Sequence, residues 1–175
     1  MNTPVLETER LILRPLALSD AEDIYARWVK DENVSRYMRW SSEQTLEDTR
    51  NWIKSEIANY ESDKSYSWGF VLKKENYLFG SGGLVYSKKH NGFEIGYNIM
   101  HKYWRQGLTT EAAKAIVQFA KETLQQKKLF ACHAVENPAS GAVMKKCGFQ
   151  YVCDGIDQKF DGVTTYNTKE YELIF

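Results

Sequence analysis

The strongest constraint on the fold is a segment in which a two-residue period changes abruptly into a helical period. Phe93, Ile95, Tyr97 and Ile99 alternate with more polar residues, which is typical of a half-buried strand. A loop containing Gly107 follows, and then an amphipathic helix is predicted over Thr109–Gln126. A helix start offers unpaired N–H groups and the positive end of the helix dipole, and glycine permits close backbone approach. The loop therefore suits a pyrophosphate, or it is a plain strand-to-helix turn.

The remaining periodicities predict further strands and helices around this segment. One domain over residues 1–175 is expected, because the chain contains no repeat, low-complexity tract or linker. The fold class is α+β, a mixed and mostly antiparallel sheet of about seven strands flanked by about four helices. In chain order the prediction is a strand at Leu6–Arg14, two helices, strands at Tyr66–Leu72, Tyr77–Tyr86 and Phe93–Ile99, a helix, a strand at Leu129–Glu136, a helix at Pro138–Cys147, and strands at Phe149–Cys153 and Thr164–Phe175.

Composition excludes several classes of function. The chain has 23 basic residues (Lys and Arg) and 23 acidic residues (Asp and Glu), so its formal net charge is zero. This balance argues against a globally basic nucleic-acid binder, and no direct nucleic-acid partner is expected. Three cysteines and three widely separated histidines match no zinc pattern, so no metal is expected. No signal peptide or membrane-spanning run is recognisable, so a cytoplasmic protein without a membrane partner is expected.

A second loop leading into a helix carries polar residues at its start. Asn137 is placed to cap the helix, Pro138 occupies its first position, and Gly148 lies just past its end. The glycines at 80–83 match neither a dinucleotide fingerprint nor a nucleophile elbow. Two strand-to-helix loops with polar starts can instead cradle one extended ligand between them.

Motif blocks spread over nearly the whole chain identify a resemblance. The sequence resembles the GNAT family of N-acetyltransferases, in its RimJ/RimL branch, whose better-known members acetylate the N-termini of ribosomal proteins. Thr109 departs from the superfamily pattern, which has a small residue there, whereas Trp104 is usual in this branch. The blocks are Leu6–Pro15, Glu94–Tyr97, Tyr103–Ala112, Glu136–Ser140 and Lys145–Phe149.

The resemblance implies acetyl-CoA as co-substrate and assigns its contacts. Backbone groups at the end of the fourth predicted strand are expected to pair with pantetheine, and the following loop is expected to hold the pyrophosphate. The expected donor-binding residues are Ile99, Met100 and His101 for pantetheine, Arg105, Gln106, Gly107, Leu108, Thr109 and Thr110 for pyrophosphate, Asn137 for pantetheine, and Ser140 near the thioester sulfur.

Two side chains are the catalytic candidates for direct attack of a neutral amine on the thioester in a ternary complex. Glu94 is the candidate base, and the alternatives are that it pairs with a nearby Arg or Lys or is simply solvated. Ser140 is the candidate donor to the leaving sulfur, and it can also help to cap its helix. The resemblance places the oxyanion donor at a backbone N–H near Met100.

The acceptor is the least determined part of the prediction. The favoured acceptor is the α-amine of a protein or peptide, such as a ribosomal protein, because an α-amine needs only a weak base. Alternatives are a small amine such as a polyamine, amino sugar or amino-acid derivative, an acyl-CoA-binding module without turnover, and an interaction domain. Arg36 and Arg39 would favour an acidic peptide or a carboxylate. The resemblance suggests a monomer or homodimer.

Overall fold

The computed structural model describes residues 2–175 and joins the described strands in one eight-stranded sheet. Neighbouring strands are antiparallel except β5 and β6, which are parallel. The spatial order is β1-β2-β3-β4-β5-β6-β8-β7. The strands are β1 Leu6–Glu7, β2 Leu11–Arg14, β3 Ser65–Leu72, β4 Tyr77–Ser87, β5 Gly92–Ile99, β6 Lys128–Ala134, β7 Gln150–Gln158 and β8 Thr165–Ile174.

Helices cover both faces of this sheet. A π-helical turn, Tyr25–Val29, continues the first helix, and 3-10 turns occur at Leu18–Asp20 and His101–Tyr103. The predicted α+β class with a mostly antiparallel sheet is confirmed. Every helix in residues 2–175 is too short or too polar to cross a lipid bilayer. The α-helices are α1 Ala21–Ile24, α2 Glu32–Ser35, α3 Leu46–Ala58, α4 Leu108–Glu122 and α5 Pro138–Lys146.

The count of strands differs from the prediction because the first predicted strand is a hairpin. Leu6 pairs with Leu13, and the Thr8 N–H donates to Leu11 O at 3.0 Å. The Thr8 hydroxyl accepts from Leu11 N, also at 3.0 Å, and such a local side-chain bond competes with a continuous ladder. The additional helix α2 begins after Asp31, whose carboxylate accepts from Asn33 N.

Two hydrophobic clusters hold the helices on opposite faces. Successive strand residues point to opposite faces, so Phe70 packs beneath α4 while Val71 packs beneath α1 and α3. On the α4 face, the apolar stripe of the helix includes Ala112, Ile116 and Phe119, all buried. The sheet thus fixes α4 and α5 on one side and the first three helices on the other.

The sheet opens between β5 and β6. These strands pair only at Phe93 with Leu129 and at Glu94 with Phe130. Beyond Glu94, β5 keeps its partner β4 along one edge only. The backbone of β5 from Ile95 onward therefore borders a gap beside β6, and Asn137 and Ser140, which follow β6, line this gap.

Candidate functional site

A cleft of about 830 Å³ lies where β5 and β6 separate. Its volume is in the range of pockets that bind small molecules and cofactors. The cleft brings together four residues that the sequence singled out: Arg39, Glu94 from β5, and Asn137 and Ser140 from the start of α5. The first helices and the β7–β8 hairpin contribute aromatic walls, which include Trp28, Tyr37, Trp40, Trp52, Phe160 and Tyr166.

The start of α4 has the properties of an anion site. Gly107 is the N-cap in the left-handed region, with φ of 78°, and it supplies no side-chain cap. The first intrahelical bond is from Glu111 N to Gly107 O, at 3.0 Å. The N–H groups of Leu108, Thr109 and Thr110 therefore have no acceptor within the helix. Leu108 is a buried core residue, so only its backbone can contact a ligand. Arg105 and Gln106 precede the cap and are exposed.

The end of β5 requires one correction. The Met100 N–H donates to Phe79 O on β4, at 2.9 Å, and Met100 O accepts from Tyr103 N. Both backbone groups of Met100 are thus engaged within the chain, so its N–H is not the oxyanion donor. Amides alternate in direction along a strand, so the Ile99 N–H faces the gap. The pantetheine contacts predicted for this segment stay a prediction, now limited to Ile99 and His101.

Ser140 is hydrogen-bonded to Tyr97 inside the cleft. The Ser140 hydroxyl donates to the Tyr97 hydroxyl at 3.3 Å, and Tyr97 donates to Ser140 O at 3.1 Å. Burial raises the pKa of Tyr97, so its hydroxyl stays protonated. Asn137 Oδ1 accepts from Ser140 N at 3.3 Å, which confirms the predicted N-cap of α5. The alternation in the sequence places Tyr97 among the apolar residues of its strand, and the structure shows that Tyr97 also lines the cleft.

Glu94 shares its carboxylate with two neighbours. Its Oε1 lies 3.7 Å from an Arg39 guanidinium nitrogen and accepts from the Cys132 thiol at 3.5 Å. Arg39 is itself paired with Asp157, whose Oδ2 accepts from Nε at 2.8 Å. Since two carboxylates already match the Arg39 charge, the structure does not favour the expected attraction of an acidic peptide. The Arg36 guanidinium lies over the ring of Tyr37 instead.

Protonation of the cleft follows from burial and these pairs. Burial works against the charged form of Asp157, but hydrogen bonds from Gln158 N and Arg39 outweigh it and lower its pKa. Burial, and then the charge of Glu94, raises the pKa of Cys132, so its thiol stays neutral and is no nucleophile. Burial lowers the pKa of His133, which is held at 2.8 Å from Ala134 O. At neutral pH the cleft therefore holds Asp157 ionised beside Arg39, with Cys132 and His133 neutral.

Two further cleft residues lie on the strand face of Glu94, and the sequence predicted no role for either of them. Asn98 donates to Ser81 Oγ at 3.0 Å, and its buried Oδ1 has no donor among residues 2–175. A Cβ added to Gly96 would meet nothing within 4 Å, so the strand leaves open space there. The alternation that placed Glu94 on this face also places Gly96 and Asn98 on it, and that was the available signal. A ligand N–H would satisfy Asn98.

Replacing Ser140 with alanine tests the prediction that its hydroxyl donates to the leaving sulfur. We expect kcat with acetyl-CoA to fall about tenfold, because a donor to the developing thiolate is lost. The melting temperature is expected to stay unchanged, because the cap bond uses the backbone N–H of Ser140. Steady-state thiol release and thermal unfolding measure the two effects. Ser55→Ala, an exposed position on α3, is the control. An unchanged kcat in the Ser140 variant would remove this residue from the chemistry.

Comparisons with known proteins agree on one family. Residues 10–150 match the family described as acetyltransferase (GNAT) domain. The uncharacterized N-acetyltransferase YoaA of Bacillus subtilis is 31% identical over 174 residues, covering 98% of this chain and 97% of that protein. RimL, a ribosomal alpha-N-protein acetyltransferase solved with coenzyme A, superposes with a TM-score of 0.84 at 16% identity, covering 98% of each chain. A Vibrio cholerae spermidine N-acetyltransferase, solved with CoA and spermine, has a TM-score of 0.78 at 17% identity, covering 95% of this chain and 96% of that one.

Proposed function

The chain belongs to the GNAT family of acetyl-CoA-dependent N-acetyltransferases, and we propose that it acetylates the α-amine of a peptide or protein, as RimJ/RimL enzymes do. One observation carries the proposal: Glu94 and Ser140 line the same cleft, at the point where β5 and β6 separate. Amine acetylation needs one side chain that accepts the proton of the amine and one that donates a hydrogen bond to the leaving thiolate.

The residues around the gap fit an extended, anionic thioester. When bound, acetyl-CoA supplies the activated acetyl group. Ile99 and His101 are proposed to bind its pantetheine arm through their N–H groups, together with Asn137. The uncapped start of α4, with Gly107, Leu108, Thr109 and Thr110, is proposed to bind the pyrophosphate, and Arg105 and Gln106 border that site. The unpartnered Oδ1 of Asn98 offers an acceptor to an N–H of either substrate.

Glu94 and Ser140 divide the proton chemistry. Glu94 takes the ammonium proton directly or through water, after which the neutral amine attacks the thioester carbonyl. When the C–S bond breaks, Ser140 turns its hydroxyl from Tyr97 toward the sulfur and stabilises the leaving thiolate, while the second proton on the attacking nitrogen passes to water. A thiol with a pKa near 8.5 is a fair leaving group, so a hydrogen bond suffices.

The geometry is compatible with an α-amine acceptor for two reasons. Glu94 is shared with Arg39 and Cys132, and an α-amine with a pKa of about 8 is already partly neutral at pH 7. A cleft of about 830 Å³ also leaves room for the first residues of a peptide beside the thioester. The likeness to RimL, whose described substrate is a ribosomal protein, supports the same choice.

A small polycation is the second candidate, and the charge of the cleft favours it. Glu56 and Glu170 line the cleft together with Glu94 and Asp157. Lys89 pairs with Glu170 at 2.8 Å, and Arg39 pairs with Asp157, so these cations do not balance all four carboxylates. An acidic cleft attracts a polyamine, and the spermidine N-acetyltransferase shares the fold.

Thiol release from acetyl-CoA against a matched amine panel tests the proposal. The panel contains peptides with free alanine, serine or methionine N-termini, the same peptides with blocked N-termini, lysine peptides, spermidine and an aminoglycoside. Release with free but not blocked peptides is the expected result. Release with spermidine alone would replace the α-amine by a small polycation. Binding of acetyl-CoA without release across the panel would indicate a binding module.

A further inference from the structure

The carboxylate of Glu111 ties the start of α4 to the hairpin formed by β1 and β2. Its Oε1 accepts from the Thr8 hydroxyl at 2.6 Å and from Arg10 N at 2.8 Å, and its Oε2 accepts from Arg10 Nε at 2.7 Å. These hydrogen bonds outweigh the effect of burial and lower the pKa of Glu111, so the carboxylate is ionised at neutral pH. Contacts made by one side chain thus join segments about a hundred positions apart.

Arg10 extends this connection to the loop that precedes α4. Its guanidinium donates to Gln106 O at 3.2 Å, and a Cβ placed at Gly107 would lie 3.5 Å from another of its nitrogens. The described peptide bonds are trans, and in a trans peptide the C=O and the N–H point in opposite directions. Because the Gln106 C=O points to Arg10, the Gly107 N–H points away from it.

The loop held in this way has an unfavourable backbone. Arg105 has φ of 62°, in the left-handed region that non-glycine residues seldom adopt, and Gly107 has φ of 78°. Gln106 lies between these two residues, and its carbonyl is the atom that Arg10 contacts. A strained segment persists only when its surroundings hold it in place, and the Arg10 contact is such a restraint.

We propose that Glu111 and Arg10 form a latch that holds the loop Arg105–Gly107 in the conformation that binds the pyrophosphate of acetyl-CoA. Both are positioning residues, because they orient backbone amides and take no part in acetyl transfer. The ion pair also neutralises the Glu111 carboxylate, which would otherwise repel an anion at the same helix start. The inference rests on the proposed function, since it assumes that this loop binds acetyl-CoA.

Glu111→Gln tests the latch with two acetyl donors. The amide can still accept from Thr8 and Arg10 N, but it cannot accept from Arg10 Nε through its NH2 group. We expect the calorimetric Kd of acetyl-CoA to rise about fivefold, as suits a partly exposed ion pair. With S-acetylpantetheine, which lacks the pyrophosphate, kcat/KM is expected to stay unchanged. Glu122→Gln, at the other end of α4, is the control.

Arg10→Met provides a second, independent variant. It is expected to raise the Kd of acetyl-CoA by a similar factor. The Arg10→Met, Glu111→Gln double variant is expected to have a Kd no higher than that of the single variant that binds acetyl-CoA more weakly. An unchanged Kd in both single variants, or an equal loss with both donors, would overturn the latch while leaving the proposed function intact. Absence of acetyl-CoA binding to the unaltered protein would overturn both.

Discussion

Replacing Glu94 with glutamine is expected to lower kcat/KM at pH 7 by about a hundredfold for a lysine side-chain amine and about tenfold for an α-amine. The difference follows from the acceptors. A lysine amine has a pKa of about 10.4 and must lose its proton on the enzyme, whereas an α-amine with a pKa of about 8 is partly neutral in solution. For the α-amine, the defect is expected to shrink as the pH rises above about 8, because the free amine then predominates.

The measurement is thiol release with a lysine peptide blocked at its N-terminus and an α-amine peptide without lysine, between pH 6.5 and 9. Glu172→Gln is the matched control, because Glu172 is also an ion-paired strand carboxylate but pairs with Lys128 and does not line the cleft. Equal rates for Glu94→Gln and the unaltered protein at pH 7 with both peptides would exclude Glu94 as the base. A loss that does not depend on the acceptor would indicate a role in binding.

Replacing Trp68 with alanine is expected to destabilise the protein by about 3–5 kcal/mol. Trp68 lies on β3, is 0% exposed and packs edge-on against Phe119 of α4, with ring centroids 5.4 Å apart. Its Nε1 also donates to Pro4 O at 2.6 Å, so the substitution leaves both a cavity and a carbonyl without its donor. Because Phe119 belongs to α4, the same contact supports the helix whose start carries the proposed pyrophosphate site.

Urea unfolding followed by circular dichroism measures this change. Trp52→Ala is the matched control, because Trp52 on α3 is 38% exposed and its removal is expected to cost less, about 2 kcal/mol. A similar midpoint for the Trp68 and Trp52 variants would contradict the burial of Trp68. Should Trp68→Ala fail to fold, Trp68→Phe, which keeps most of the apolar volume, is expected to lose less stability and to unfold cooperatively.

Local sequence determined the elements whose causes lie within a few residues. The alternation from Phe93 to Ile99 predicted β5, and the apolar spacing after Gly107 predicted α4 to within a few residues at each end. Asn137, Pro138 and Gly148 marked the ends of α5 correctly, because caps act on neighbouring backbone groups. The motif blocks placed the chain in its family, since each block is a short contiguous stretch. Glu94 was named from its strand face and Ser140 from the resemblance to the family, and both line the cleft.

Only the tertiary structure decided which distant groups meet. Arg39 was expected to attract a substrate, but the β7–β8 hairpin brings Asp157, 118 positions away, against it. The sequence predicts that Glu111 lies in a helix, which is confirmed, but it does not show that its carboxylate binds Arg10, 101 positions away. Tyr97 and Asn98 line the cleft because β5 and β6 separate beyond Glu94. The periodicity of the sequence does not predict where two strands separate. Periodicity and capping depend on covalent neighbours, but ion pairs and clefts depend on how complete elements pack, so they emerge only when the whole sheet is assembled.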